Sequence, residues 1–176
     1  MTRCGSGGAA AAEADFVIEP LSGDFRERVK RRTYELFGGE IVVSRGNIFE
    51  PASLSGFVAI QKADSKLVGI LTYRVDSSSK LEVVTLDALE QFKGIGSALM
   101  KAVEELAVQE GIATVYLITT NDNIEALRFY QRRGYRMVEL HPGAVESSRL
   151  LKPTIPKFGS FGIEILDEIV LEKKLS

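Results

Sequence analysis

Hydrophobic and polar residues along the chain follow two periods, one of two residues and one of three to four. Runs rich in β-branched and aliphatic residues predict strands. These strands cover residues 15–21, 56–63, 66–75, 80–86, 114–119, 135–141 and 162–172. Three segments with helical spacing lie between strands. They start at Ser22, Gly94 and Asn121 and stop at Gly38, Gly111 and Gly134.

The second predicted helix carries the clearest pattern, because one apolar stripe runs from Ile95 to Ala107. In the third, Asp122 and Glu125 have the spacing of a capping box. The order strand, helix, strand, helix, strand predicts a mixed α/β sheet whose fourth and fifth strands are parallel. Ligands of such sheets bind beyond the carboxyl ends of the strands. A long connection rich in proline and glycine, residues 142–161, is the kind that is often functional.

Composition narrows the class of protein. The 176 residues suit one domain, predicted over 15–176 after a disordered leader at 1–14. A net charge of −2 gives no broad field for a nucleic acid. A single cysteine, Cys4, and a single histidine, His141, make a metal site improbable. No apolar run reaches the roughly 20 residues of a membrane helix, so we expect a cytoplasmic protein.

The segment 91–97 has the chemistry of a phosphate loop. Gly94 and Gly96 let the backbone approach a ligand closely, and the following helix start offers unpaired N–H groups and a positive dipole end. Lys93 adds a charge and Ser97 a hydroxyl donor. A plain strand–helix turn is the alternative interpretation, because a lone Gly-x-Gly is a weak signal.

Two better-known phosphate loops do not fit. Leu99 stands where the dinucleotide pattern needs a third glycine, and no Gly-Lys-Ser/Thr occurs. The form that remains, Q-x-x-G-x-G, is followed by N-x-x-A-x-x-x-Y-x-x-x-G-Y at residues 123–135. This pair of motifs resembles the GNAT superfamily of N-acetyltransferases, and the resemblance covers residues 56–141. Ala88, where many members have proline, and the bulky Phe92 depart from the family pattern.

The resemblance implies a fold and a reaction. The fold is a GNAT-like mixed central sheet whose parallel fourth and fifth strands splay apart, flanked by helices. The reaction moves an acetyl or other short acyl group from coenzyme A to a primary amine of a small molecule or a peptide, in a monomer or homodimer and without a metal. A noncatalytic acyl-coenzyme A sensor is the alternative. The residues implied in cofactor binding are the backbone of Val84 and Leu86, the loop residues Gln91, Phe92, Lys93, Gly94, Ile95, Gly96 and Ser97, and the helix residues Asn123, Ala126 and Tyr130.

Tyr130 is the candidate general acid for the leaving thiolate. It lies seven residues after Asn123, about two turns along the same helix face, so that Asn123 would hold the cofactor arm. A tyrosine that only fills the core is the alternative.

Glu82 is the candidate base. By strict alternation it shares a face with Val84 and Leu86, and burial of a carboxylate raises its pKa toward the range useful in a base. A structural ion pair is the alternative, while Asp87 and Glu90 are weaker candidates for the base.

The residues that would bind the acceptor are the hardest to predict from the sequence. Arg45 follows the first helix, where the family usually binds acceptors, and His141 ends the sixth strand, with Arg149 and Lys152 beyond it. These cations suggest an acceptor that carries a carboxylate or phosphate. Solvated loop charges are the alternative.

Overall fold

The computed structural model describes residues 14–89 and 93–175, and within these ranges it has four α-helices and nine strands. The helices are α1 (Gly23–Phe37), α2 (Ile95–Gln109), α3 (Ile124–Gln131) and α4 (Ala144–Leu151). The strands are β1 (Phe16–Pro20), β2 (Val42–Ser44), β3 (Asn47–Phe49), β4 (Ser55–Gln61), β5 (Leu67–Val75), β6 (Leu81–Ala88), β7 (Thr114–Thr120), β8 (Arg136–His141) and β9 (Glu168–Lys174). None of the helices in these ranges is long and apolar enough to cross a membrane.

Seven strands form one sheet in the order β1-β4-β5-β6-β7-β9-β8, and β2 and β3 form a separate hairpin. Only β6 and β7 run parallel among these neighbours. Their pairing begins at Leu81 with Val115 and stops at Val83 with Leu117, although both strands continue. The sheet is therefore open between the carboxyl halves of β6 and β7, which confirms the predicted splayed parallel pair.

The two faces of the sheet have different cores. Helices α2 and α3 cover one face, where the α2 stripe meets buried side chains such as Leu71, Val115 and Leu171. Helix α1 covers part of the other face through Val29, which packs with Val58. The predicted stripe of α2 is confirmed at its most buried positions, Ile95, Leu99, Val103 and Ala107.

A β-bulge in β6 changes which side chains share a face. Tyr73 of β5 opposes Val83, but the preceding Thr72 opposes Thr85, so that Val84 is an extra residue. Leu86 therefore lies on the same face as Val83, and the Glu82 side chain lies on the opposite face. The predicted common face of Glu82, Val84 and Leu86 is wrong, because strict alternation takes no account of a bulge.

Three other predictions need correction. Asn123, and not Asp122, caps α3, since its side-chain oxygen accepts from the Ala126 N–H at 3.2 Å. The connection after β8 contains helix α4, and the last strand begins at Glu168 and not at residue 162. The β2–β3 hairpin had no sequence prediction. The predicted leader lies almost wholly outside the described residues.

Candidate active site

A cleft of about 910 Å³ lies between the start of α2 and helix α3, beside the carboxyl end of β6. It brings together most of the residues that the sequence assigned to the cofactor. Those that line it are Leu86, Gly94, Ile95, Gly96, Ser97, Asn123, Ala126 and Tyr130. Val84 and Lys93 are not part of its lining, and Gln91 and Phe92 lie outside the described residues.

The two glycines of the loop, Gly94 and Gly96, have different structural roles. Gly94 has a φ of +79°, a left-handed conformation that favours glycine, and it forms the N-cap of α2. At Gly96 a Cβ atom would lie 3.1 Å from Cζ of Phe129, so the small residue lets α2 and α3 approach. The first intrahelical bond runs from the Ala98 N–H to Gly94, which leaves the N–H groups before it available to an anion.

Cationic side chains that the sequence analysis missed surround this helix start. Lys101, Arg128, Arg132, Arg133 and Lys173 line the cleft. Two of the three arginines are spaced by four residues on α3 and at its end, a pattern that could have revealed them. Glu125 and Glu104 also line the cleft and pair with Arg128 and Lys173. Guanidinium groups are good partners for phosphate oxygens, so the other two arginines suit a phosphorylated ligand.

Arg133 links the two helices at the cleft. Its guanidinium lies 3.4 Å from the centre of the Phe129 ring, and Nη1 donates to the Phe129 carbonyl at 2.7 Å. Its Nη2 donates to Oγ of Ser97, in the first turn of α2. Burial lowers the pKa of Arg133, with repulsion from Arg132 as the next cause. The loop, α3 and this arginine therefore form one connected surface.

Tyr130 is buried, with only 7% of its surface exposed, and its ring makes edge contacts with Phe129 and Tyr135. Burial raises its pKa well above the ordinary value, so the hydroxyl keeps its proton at neutral pH. In the described part of the chain no group is hydrogen-bonded to this hydroxyl. Tyr135 differs, because its hydroxyl donates to Glu104 at 2.9 Å.

Glu82 is buried but lies away from the cleft lining. Its Oε2 accepts from Nε of Arg74 at 2.7 Å and from the Tyr116 hydroxyl at 3.0 Å. Asp87, one of the weaker candidates, does line the cleft and accepts from Nε of Arg32 at 2.7 Å. Glu90 is outside the described residues.

The backbone of β6 from the bulge onward lies at an open edge of the strand. Neither Val84 nor Leu86 belongs to the three residues of β6 that pair with β7. Leu86 also lines the cleft. An unpaired strand edge inside a ligand cleft can donate hydrogen bonds to a ligand in place of a neighbouring strand.

The structure brings Arg45 and His141 together on the other side of the sheet. Nη1 of Arg45 lies 3.9 Å from Oε2 of Glu139, and Nε2 of His141 lies 3.3 Å from the same oxygen. The other two predicted cations contact backbone carbonyls. Arg149 donates to Ile165 at 2.7 Å, and Nζ of Lys152 donates to Ile41 at 2.6 Å.

No group of histidine, cysteine, aspartate and glutamate side chains in residues 14–89 and 93–175 could hold a metal ion. The arrangement in the cleft is instead that of an anion site next to a protonated hydroxyl and an unpaired strand edge. Such a site can bind a phosphorylated carrier, polarise a carbonyl group and donate a proton to a leaving group.

Known proteins resemble this chain in sequence and in fold. YdhI of Bacillus subtilis (strain 168) is 42% identical over 134 residues, which are 76% of this chain and 82% of that protein. The IAA acetyltransferase from Bacillus cereus ATCC 14579 has a similar structure, with a TM-score of 0.71, 21% identity and coverage of 91% of this chain and 99% of that one. A GNAT family acetyltransferase from Elizabethkingia anophelis with acetyl-CoA bound has a TM-score of 0.64, 18% identity and coverage of 93% and 100%.

Residues 18–135 also match the sequence model of the Acetyltransferase (GNAT) family. This range includes the splayed strands, the phosphate loop and Tyr130, and so it contains most of the cleft. The chain therefore belongs to the GNAT family of acetyltransferases.

Proposed function

We propose that this protein transfers an acetyl or other short acyl group from coenzyme A to a primary amine of a small molecule or peptide, in a ternary complex. The observation that carries the proposal is the convergence, in one cleft, of the α2 N-terminus, the unpaired edge of β6 and the Tyr130 hydroxyl. The acetyl-CoA complex of the structurally similar Elizabethkingia protein supports the choice of carrier.

Each part of the cleft has one task in this reaction. The N–H groups of the loop at 94–97 and the arginines bind the diphosphate, and Asn123 and Ala126 border the carrier arm. A backbone N–H of Val84 or Leu86 stabilises the oxyanion as the amine nitrogen bonds to the thioester carbon. The carbon–sulfur bond then breaks, and Tyr130 gives its proton to the sulfur. A base takes the proton that the amine nitrogen loses, and a proton from solvent then restores the Tyr130 hydroxyl, so that the products are the amide and the free thiol.

Glu82 is the base that the sequence predicts, and its contacts favour a different role. The carboxylate is paired with Arg74 and bonded by Tyr116, as in a structural ion pair. The two roles differ in their pH dependence. If Glu82 is the base, a Glu82→Gln variant loses the acidic limb of the pH profile of kcat/KM. If the ion pair is structural, that variant keeps the profile and loses thermal stability.

The test separates carrier binding from transfer. Calorimetry with coenzyme A is expected to show binding, and an amine panel with acetyl-coenzyme A is expected to give amine-dependent thiol release and an acetylated amine by mass spectrometry. Binding without release from any amine would leave only the sensor interpretation. No binding of any thioester carrier at millimolar concentration would overturn the proposal.

A further inference from the structure

A buried carboxylate lies on the acceptor side of the sheet, at the start of β9. Glu168 has 3% of its surface exposed. Its oxygens accept from the backbone N–H of Arg45 at 3.0 Å and from Oγ of Ser148 at 3.4 Å, and both of these donors are neutral. Within the described ranges Glu168 forms no ion pair with a lysine, arginine or histidine. A buried carboxylate is costly without a cation, so this group lacks its natural partner.

Two more buried polar atoms near Glu168 have no hydrogen-bond partner among the described residues. Oγ of Ser44 and Nε2 of His141 are both buried and accept or donate no hydrogen bond among the described residues. Ser44 precedes Arg45, whose N–H contacts Glu168, and His141 stands directly opposite Glu168 in the β8–β9 register. His141 lies near Glu139, but that contact lacks hydrogen-bond geometry. Buried polar atoms of native structures are rarely left unpaired, so a missing ligand would explain them.

The Glu168 cluster, defined as Ser44, His141, Ser148 and Glu168, borders the reaction region. Glu168 is paired with Thr120 of β7, in the half of that strand that has separated from β6. The hairpin and α4 close over it, because Ser44 belongs to β2 and Ser148 to α4. The cluster therefore lies where an acceptor would enter from the face opposite α2.

The charge of the cluster decides what it can bind. The sequence predicted an anionic acceptor, but Arg149 and Lys152 contact carbonyls and the side chain of Arg45 faces Glu139. Within the Glu168 cluster, the Glu168 carboxylate forms no ion pair with any residue that the structure describes. An ammonium has three donors and no acceptor, which matches one carboxylate, one hydroxyl and one imidazole nitrogen.

We propose that the Glu168 cluster binds a protonated nitrogen of the acceptor, so that the preferred acceptors carry an ammonium group besides the amine that is acylated. This inference rests on the proposed transferase function, and it replaces the expectation of a carboxylate or phosphate on the acceptor.

The first test measures binding and not turnover. The full chain, with and without saturating coenzyme A, is titrated with linear diaminopentane (one amine at each end), pentylamine, aminopentanoate and the neutral pentanol. We expect diaminopentane to bind about tenfold more tightly than pentanol, the size of effect that one charged hydrogen-bonded contact gives. Glu168→Gln should remove this preference, and Ser44→Ala should weaken it. Equal affinities for diaminopentane and pentanol in the wild type, no binding of diaminopentane at millimolar concentration, or tighter binding of aminopentanoate than of diaminopentane would overturn the inference.

The second test compares kcat/KM for the same amines with acetyl-coenzyme A. The ratio of diaminopentane to pentylamine should fall about tenfold in Glu168→Gln. Glu146→Gln is the matched control, since it removes one exposed carboxylate from α4 and should leave the ratio unchanged. An equal loss for both amines would show that Glu168 only holds the fold together, which overturns the inference and leaves the transferase intact. Absence of transfer to every amine, with the binding preference still present, would instead overturn the proposed function alone.

Discussion

The two sides of the sheet are built in different ways. The cofactor cleft depends on backbone groups and small residues of neighbouring segments, such as the loop before α2 and the Gly96–Phe129 approach. The acceptor side depends on side-chain contacts between distant segments. Glu168 meets a residue 123 positions away, and Lys152 meets one 111 positions away. The cleft therefore depends on the local order of the sequence, and the proposed acceptor side depends on contacts that form only in the folded chain.

The largest expected effect is a loss of turnover in a variant that leaves the shape of the cleft unchanged. Tyr130→Phe removes the proton donor of the leaving thiolate, so kcat should fall about 100-fold or more while the Kd for acetyl-coenzyme A changes little. Steady-state kinetics and calorimetry measure the two quantities.

Tyr135→Phe is the matched control for Tyr130→Phe. It removes a buried hydroxyl that is already bonded to Glu104, so about 1 kcal/mol of stability should be lost and kcat should be kept. If both variants keep full turnover, Tyr130 is a core residue and nothing more.

A smaller effect, on the affinity for coenzyme A, is expected when Gly96, the second glycine of the loop, is replaced. Gly96→Ala puts a methyl group about as close to the Phe129 ring as the folded chain tolerates, at 3.1 Å, so α3 must shift from the helix start. We expect about tenfold weaker binding of coenzyme A, since a cost of roughly 1.4 kcal/mol has that consequence. Calorimetry measures the change.

Gly111→Ala serves as the comparison for Gly96→Ala at the other end of α2. Gly111 has a φ of +71° and open space around it, so alanine there strains the backbone and touches nothing. It should cost about 1 kcal/mol of stability and leave the affinity for coenzyme A unchanged. Equal loss of affinity in the two variants would mean that general destabilisation, and not the α2–α3 approach, sets the binding.

Asn121 joins the end of β7 to the segment before β9, on the proposed acceptor side. Asn121 donates to the Glu164 carbonyl at 2.8 Å and accepts from the N–H groups of Leu166 at 2.9 Å and Asp167 at 3.0 Å. Asn121→Ala leaves these backbone groups unpaired, which should cost about 2 kcal/mol and lower Tm by about 4–8 °C. KM for the acceptor should rise while the affinity for coenzyme A is kept.

Asn47→Ala is the control for this loss, since the exposed side chain of Asn47 donates, within the described part of the chain, a single hydrogen bond to the Arg45 carbonyl. Its effect on stability should stay within about 0.5 kcal/mol. If Asn121→Ala leaves KM for the acceptor unchanged, the segment after α4 takes no part in acceptor binding.

The difference between the two sides of the sheet also explains what could be predicted from the sequence. The α2 stripe was predicted from its spacing, and Gly94 and Tyr130 were predicted from short motifs that resemble those of the GNAT family. The parallel pair followed from the order of the elements, and its splay from the resemblance. Predictions of this kind need no knowledge of distant partners, and the structure confirms the α2 stripe and the splayed pair.

The rest depended on information that spacing does not contain. The bulge at Val84 leaves no mark in a run of strand-forming residues, and it moved Leu86 to the face opposite Glu82. The partner of Glu82 is Arg74 of the neighbouring strand, and that of Glu168 is a backbone group from the hairpin. Contacts of this range become visible only when the strands are in register.

The smallest expected effect concerns Lys152, which joins α4 to the segment after α1. Its surface is 7% exposed, its ammonium donates to the Ile41 carbonyl, and burial lowers its pKa from the ordinary 10.5. Between the lowered value and 10.5 the unfolded chain binds more protons than the folded one. The free energy of unfolding should therefore rise with pH in the window just below 10.5, where the cost of the buried charge disappears.

Denaturant unfolding at several values from about pH 8 to about pH 10 measures this slope, since a lysine normally titrates near the top of that range. Lys152→Met should flatten the slope, and Lys157→Met, at an exposed side chain, should not. Buried tyrosines such as Tyr130 have raised pKa values and so oppose the trend only above about pH 10. Their contribution is common to all three proteins and cancels in the difference. If Lys152→Met and the wild type keep the same slope, the ammonium is hydrated in solution, and its contacts with the Ile41 carbonyl and the Phe37 ring do not bury its charge.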